Sequence, residues 1–275
     1  MAKILAISSY VASGHVGLGA IVPALQALGH DIIAVPTVLL SSHPGHPGFA
    51  GAPVDTALFR SILDALRESG RLDGVDAVMT GYMASPEHVQ VTQQALTPLV
   101  ADGYVGYLCD PIIGDWPKGL YVSEAVACAV RDLLVPMANI TTPNAFELAW
   151  LSGQAVESAD GVTAAAAALG LQNIVATSVP HGAGQIANVL VGLDEAGAWE
   201  APLREGVPHG TGDLFAALLL GHLLHDRMRL PEAIARATSG VRIVIDDSVG
   251  CAELRLVANL AHAIGAAPTA KISAG

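Results

Sequence analysis

His209-Gly210-Thr211-Gly212-Asp213-Leu214-Phe215-Ala216-Ala217-Leu218 carries the densest chemistry in this 275-residue chain. A glycine-rich turn opens directly into a strongly apolar helix. The first N–H groups of a helix have no partner within it, and the helix dipole is positive at that end, so the terminus favours an anion. Glycines let the backbone come close to that anion. A carboxylate at Asp213, in the first turn, is placed to take a proton from a hydroxyl lying over the same terminus. Together these parts suit phosphoryl transfer, in which positioning and charge stabilisation dominate. From these residues alone a plainer account is equally open, with Thr211 as a helix N-cap and Asp213 as a dipole partner contributing about 0.3–1 kcal/mol.

Upstream of this stretch, short β-branched runs alternate with longer helical patterns. Strands are predicted at 3–8, 31–36, 75–80, 104–109, 138–141 and 173–178, and helices near 17–29, 54–69, 86–100, 122–134, 144–152 and 160–169. That rhythm is βαβ and implies an α/β fold, a mainly parallel central sheet with helices on both faces. Residues 186–192 and 197–202 predict an antiparallel pair, because the Asp194-Glu195-Ala196-Gly197 link is short and turn-like. The chain then ends in helices over 211–226, 231–247 and 252–264. No stretch is rich enough in Pro, Gly or Ser to divide it, so one domain over 1–275 is expected. The loop Ser41-Ser42-His43-Pro44-Gly45-His46-Pro47-Gly48 follows a strand end, where α/β sheets place ligands.

Composition narrows the function. Hydrophobic residues make up 52% and charged residues 14%, which excludes disorder. The net charge of −12 leaves no basic face to displace counterions, so nucleic acid is excluded as a partner. The charge-free stretches 4–30 and 163–193 are interrupted by Gly, Pro, Ser, Asn and His, so neither reads as a spanning helix. Met1 leads straight into Lys3-Ile4-Leu5-Ala6-Ile7, without a basic n-region or a cleavage site, so a cytoplasmic protein with no membrane partner is expected. The three cysteines, Cys109, Cys128 and Cys251, form no CxxC pair. Several motifs fail. Gly14-His15-Val16-Gly17-Leu18-Gly19 has the spacing GxxGxG and misses the dinucleotide fingerprint. The lysines Lys3, Lys118 and Lys271 are followed by Ile, Gly and Ile, which excludes a Walker loop. Neither HExxH nor GxSxG is present, and His222 and His225, at i and i+3 on an apolar helix, read as packing.

Two further clusters remain. In Thr141-Thr142-Pro143-Asn144-Ala145-Phe146-Glu147-Leu148, Asn144 and Glu147 have the N-cap to N3 spacing of a capping box. The same two residues also suit a sheet edge that holds a nucleotide phosphate and its hydrated magnesium. Cys109-Asp110-Pro111-Ile112-Ile113-Gly114-Asp115 places two carboxylates just past a strand end. Mg²⁺ commonly takes one or two carboxylates plus substrate phosphates, so Asp110 with Glu147 is a sensible pair.

The order of these clusters resembles the ribokinase-like superfamily, a three-layer α/β sandwich, and within it the pyridoxal kinases. The resemblance runs from the first strand to about residue 260. It rests on Ile7-Ser8-Ser9, Gly14-His15-Val16-Gly17, Thr80-Gly81-Tyr82, Cys109-Asp110-Pro111, Leu120-Tyr121-Val122, Thr142-Pro143-Asn144-Ala145-Phe146-Glu147 and Gly210-Thr211-Gly212-Asp213-Leu214-Phe215-Ala216-Ala217. It implies Asp213 as general base on the 5′-hydroxymethyl group of pyridoxal, with Gly210, Thr211 and Gly212 as the anion hole. Asp110 and Glu147 would organise Mg²⁺, and the resemblance also raises a monovalent cation. Thr142, Asn144, Thr177 and Ser178 would line the ATP phosphates and nucleotide, with Asp115 and Tyr121 on a segment covering them. Ser9, Val16, Val38, His43 and Tyr82 would surround the pyridine ring. Pyridoxal, ATP and a second copy of the chain, as a homodimer, are the implied partners, in vitamin B6 salvage.

The chain departs from the family at Leu18, where Asn is common, and at Ser42-His43-Pro44, where many members have Asn-His-Thr. Both changes bear on vitamer preference. A hydroxymethylpyrimidine kinase of the same fold is the alternative, but that family resembles Gly-Thr-Gly-Cys where this chain has Asp213. An unperturbed Asp is ionised at pH 7, whereas a thiol is mostly protonated. A non-catalytic vitamer-binding protein is the third reading.

Overall fold

The structure, a computed structural model, describes residues 1–225 and 227–272. Eleven strands and nine α-helices alternate along those residues. They run β1 (Lys3–Val11), α1 (Leu18–Ala27), β2 (Asp31–Leu40), β3 (Gly51–Pro53), α2 (Thr56–Glu68), β4 (Ala77–Thr80), α3 (Pro86–Val100) and β5 (Gly106–Cys109). A short hairpin, β6 (Gly114–Asp115) and β7 (Gly119–Leu120), precedes α4 (Glu124–Ala129), β8 (Ile140–Thr141), α5 (Ala145–Ser152) and α6 (Ala159–Leu169). The remainder is β9 (Asn173–Pro180), β10 (Gln185–Gly192), β11 (Ala196–Pro202), α7 (Thr211–His225), α8 (Leu230–Ser248) and α9 (Leu256–Ile264). The main sheet has the order β11-β10-β9-β8-β5-β4-β1-β2-β3. Its six central strands, β9 to β2, pair in parallel, and β3, β10 and β11 are antiparallel.

Alternation along the central strands builds the three layers. Ile4 and Ala6 of β1 join one core cluster with α1, α7, α8 and α9. Leu5 and Ile7, one residue out of phase, join the other with α2, α3 and α4. Successive strand side chains point to opposite faces, so a run buried on both sides is hydrophobic throughout. Helix α7 shows the same logic in another form: every residue from Leu214 to His222 is buried, so this helix lies inside the molecule. This is the ribokinase-like α/β sandwich expected from the sequence. Among the described residues no helix is long and apolar enough to cross a membrane.

Several boundaries differ from the sequence expectation, each for a local reason. The helix expected over 122–134 is α-helical only to Ala129, continues as a π turn over Val130–Leu134, and ends in a 3-10 turn at Val135–Met137, where Pro136 has no N–H to continue it. The strand expected at 138–141 is two residues long, because the Asn139 side chain takes over pairing and accepts from the Tyr107 N–H at 2.8 Å. The helix expected over 252–264 begins only at Leu256. Strands β1 and β2 run further than expected, past a bulge between Ser8 and Tyr10 where β2 carries Pro36 and contributes one extra residue. Strand β3 and the β6–β7 hairpin were not anticipated. Residue 226 of the expected helix 211–226, and 273–275 of the expected single domain, lie outside the described residues.

Candidate active site

All six parallel strands end at one edge, and the loops after them meet the N-terminus of α7 there. The turn at Gly210 fixes the centre. Gly210 has φ +105°, and a Cβ on it would lie 2.0 Å from the His15 carbonyl oxygen, so only glycine fits between the turn and the loop after β1. A Cβ on Gly212 would meet nothing within 4 Å, so the helix terminus is open towards the edge. Asp213 stands in the first turn of α7, half-buried, facing the Gly17 backbone N–H. Burial pushes its carboxyl up to about 6, against the pull of that N–H.

Besides Asp213 and Asp115, two more carboxylates share this edge. Asp110 follows β5 and is 5% exposed, and Glu147, in the first turn of α5, is 3% exposed. Burial, and then the charges of Glu147 and Asp213, hold Asp110 well above the ordinary carboxylate range. Neither Asp110 nor Glu147 has an ion-pair partner among the described residues. Four buried side-chain oxygens lack a hydrogen-bond partner, and they are the only such oxygens among the described residues: Asp115 Oδ1, Thr141 Oγ1, Thr142 Oγ1 and Asp213 Oδ1. All four belong to this edge. Buried polar atoms are rarely left unpaired, and orphans gathered in one place mark where ligand groups belong. Backbone strain is found here too. Ile112 (φ +42°), in the turn after Asp110, and Ser178 (φ +55°), near the end of β9, are non-glycine residues in the left-handed region.

Glu147 has a role that its spacing alone did not disclose. The capping box with Asn144 is formed: Asn144 Oδ1 accepts from the Glu147 N–H at 2.9 Å, and Glu147 Oε2 from the Asn144 N–H at 2.9 Å. Glu147 Oε1 also accepts from the N–H groups of Ile113 (2.7 Å) and Gly114 (3.3 Å), and Asn144 Nδ2 donates to the Gly114 carbonyl at 2.8 Å. The two residues therefore anchor the base of the β6–β7 hairpin while leaving Oε2 a free lone pair. Burial outweighs these N–H donors and pushes the Glu147 carboxyl up to about 7. Above the anchor the hairpin carries Asp115, beside the Tyr121 hydroxyl, and exposed Trp116 packed edge-on to Phe146 with ring centroids 5.1 Å apart. Glu147→Ala would strand the buried N–H groups of Ile113 and Gly114, at about 1–3 kcal/mol each, and the half-buried one of Asn144, so unfolding in urea should show a loss of about 3 kcal/mol. An unchanged midpoint would remove the anchoring role.

The remaining expected residues fall on either side of Asp213. Thr177 forms a bridge with Asn144, and its N–H donates to the Pro143 carbonyl at 2.8 Å, which brings Thr142, Asn144, Thr177 and Ser178 to one stretch of the edge. On the other side, Ser9 sits at the bulge with its hydroxyl against the Gly17 backbone. Val16 and Val38 are buried there, and Tyr82 follows β4, its N–H bonded to Ser8 Oγ at 3.2 Å. His43 lies across the fold on His209, ring centroids 3.8 Å apart and planes 21° from parallel. His209, His46 and Glu253 were not singled out beforehand. Glu253 lies 3.4 Å from His46 and against Gly14, and no motif spacing links these residues.

A parallel α/β sandwich with an open, glycine-flanked helix terminus, a half-buried acid in its first turn and two buried carboxylates beside it defines a ribokinase-like kinase. Comparison with known proteins agrees. A family model described as phosphomethylpyrimidine kinase matches residues 13–256. A pyridoxal kinase of Corynebacterium diphtheriae is 34% identical over 251 residues, covering 89% of this chain and 88% of the relative. The pyridoxal kinase of Entamoeba histolytica superposes with a TM-score of 0.92 at 30% identity, over 98% of this chain and 99% of the other. That of Leishmania donovani in complex with ADP and pyridoxamine gives 0.89 at 27% identity, over 97% of each. The chain belongs to the pyridoxal kinase family, and it is a kinase.

Proposed function

We propose that this chain, as one kinase unit, transfers the γ-phosphoryl group of ATP to the 5′-hydroxymethyl group of pyridoxal, yielding pyridoxal 5′-phosphate for vitamin B6 salvage. Pyridoxine and pyridoxamine are further acceptors in this reading, and the enzyme works in the cytoplasm as a homodimer. The observation that carries it is Asp213: a carboxylate in the first turn of α7, one oxygen buried without a partner, beside the open Gly212 terminus.

In the mechanism, Asp213 accepts the acceptor hydroxyl proton as that oxygen attacks the γ-phosphorus, the bond from that phosphorus to the β–γ bridging oxygen breaks, and ADP leaves. The N–H groups of Gly210, Thr211 and Gly212 hold the charge of the moving phosphoryl group, helped by the positive end of the α7 dipole. Thr142, Asn144, Thr177 and Ser178 align the phosphates and nucleotide from the β8–β9 side. Asp115 and Tyr121, on the hairpin that Glu147 anchors, cover them and exclude water. Asp110 and the free lone pair of Glu147 would hold Mg²⁺, which supplies charge neutralisation on the phosphates when bound. Two buried carboxylates with no cationic partner among the described residues fit a divalent cation, since the repulsion that Glu147 exerts on Asp110 is relieved by one. A monovalent cation is a second candidate for the same acidic edge. Ser9, Val16, Val38, His43 and Tyr82 enclose the pyridine ring.

One competition assay tests this: purified protein, ATP and Mg²⁺ with equal pyridoxal and hydroxymethylpyrimidine, the phosphorylated products separated and counted. Pyridoxal 5′-phosphate should predominate, and chelating the cation should abolish its formation. Phosphorylated pyrimidine as the main product would keep the chemistry and overturn the acceptor. Vitamer binding without any product would point to a non-catalytic binder.

A further inference from the structure

The segment 41–50, which leaves β2 and returns at β3, has little of its own to hold it. Its base is closed by the Ser41 N–H to the Ala50 carbonyl (2.7 Å) and the Ala50 N–H to Ser41 Oγ (2.8 Å). Beyond the base, Pro44, Gly45, Pro47, Gly48 and Phe49 are all exposed, so no apolar side chain anchors the strap. Two side-chain bridges do. His46 pairs with Glu253 at 3.4 Å, an accessible contact of the kind that contributes little. His43 stacks on His209, with centroids 3.8 Å apart. His43 is held flat for this by its own turn, in which Nδ1 accepts from the Gly45 N–H at 3.0 Å. That bond leaves the ring proton on Nε2 and the imidazole neutral.

We propose that His209 is a positioning residue: by stacking on His43 it fixes the 41–50 strap against the turn that begins at Gly210, and so sets one wall of the acceptor site. The role of that wall rests on the acceptor assignment above. The stack itself rests on geometry alone. His209 adjoins Gly210, whose backbone is locked against His15, so its ring is carried by a rigid base. Burial first, and neighbouring positive charges after it, keep both rings neutral near pH 7. Burial, His209, His46 and Lys118 push the His43 imidazole down to about 4. Burial, Lys118 and His46 lower His209 as well, outweighing the opposing pull of Asp115 and Glu253.

The test compares His209→Ala with His209→Phe, which keeps a flat ring in place of the imidazole. Hydrogen–deuterium exchange of the 41–50 amides should quicken by about three- to tenfold in His209→Ala, the size expected for one lost aromatic stack. It should return close to wild type in His209→Phe. KM for pyridoxal should rise by a similar factor in His209→Ala, with KM for ATP and kcat within twofold, and His209→Phe should restore it. Unchanged exchange in His209→Ala would overturn the proposal, and so would a loosened strap with KM for pyridoxal unaltered. Should the wild type fail to phosphorylate pyridoxal, the acceptor assignment fails, while the exchange result still decides whether His209 holds the strap.

Discussion

Asp213→Asn is expected to lower kcat by about 10²–10⁴-fold, the usual contribution of a positioned general base, and to leave KM for both substrates within a few-fold. The amide has the size of the carboxylate but cannot take the hydroxyl proton, so the loss falls on the transition state. The pH profile carries the same signature. With the Asp213 carboxyl of the free enzyme pushed up to about 6, the base is ionised above that value, and kcat/KM in the wild type should fall as pH drops through it, about tenfold per unit. The variant should lose that limb. Stability should move the opposite way. A carboxyl raised in the folded state binds its proton more tightly than in the unfolded chain, so its cost appears as pH rises from about 4 to 6 and persists above. Removing the charge should therefore raise the unfolding free energy by about 1–2 kcal/mol at pH 8, discounted for partial exposure and for the Asn amide facing Gly17. Near-normal kcat in the variant would take Asp213 out of the mechanism.

Gly210→Ala should cost about 10³-fold in kcat/KM, the upper end of what the loss of a single oxyanion donor costs. Its φ of +105° is foreign to alanine, and the new Cβ would lie 2.0 Å from the His15 carbonyl oxygen. That atom is backbone and has no rotamer to yield, so the turn and the loop after β1 must separate. Both the anion hole and the Gly17 N–H beside Asp213 would shift with them. Gly212→Ala controls for folding and not for activity, because a Cβ there meets nothing within 4 Å of protein while Gly212 itself belongs to the anion hole. A Gly210→Ala enzyme with wild-type kcat/KM would show that the turn is not the site of phosphoryl transfer.

The parts of this site that were legible beforehand are those written over a few consecutive residues. Gly210-Thr211-Gly212-Asp213 announces a helix start with unpaired N–H groups and an acid in one turn, and the structure begins α7 there. Asn144 and Glu147 announce a capping box because N-cap and N3 are three residues apart, and the structure forms it. The βαβ rhythm announces a strand at 3–8 in a sheet with helices on both faces, and the structure covers Ile4 and Ala6 on one face and Leu5 and Ile7 on the other. What was missed joins distant segments. The β6–β7 hairpin is too short for any periodicity. The extension of β1 and β2 depends on a bulge at Pro36 that only pairing reveals. The stack of His43 on His209 has no spacing to betray it.

Sequence alone determined the βαβ order, the glycine-flanked helix terminus and the acids near it, since backbone propensity and helix capping act between near neighbours. Tertiary structure decided which of those acids remain open. Glu147 spends its oxygens largely on the hairpin base, whereas Asp213 keeps one buried oxygen without a partner. Desolvation and hydrogen-bond partners set that difference, and both come from chain segments that meet only once the sheet has formed.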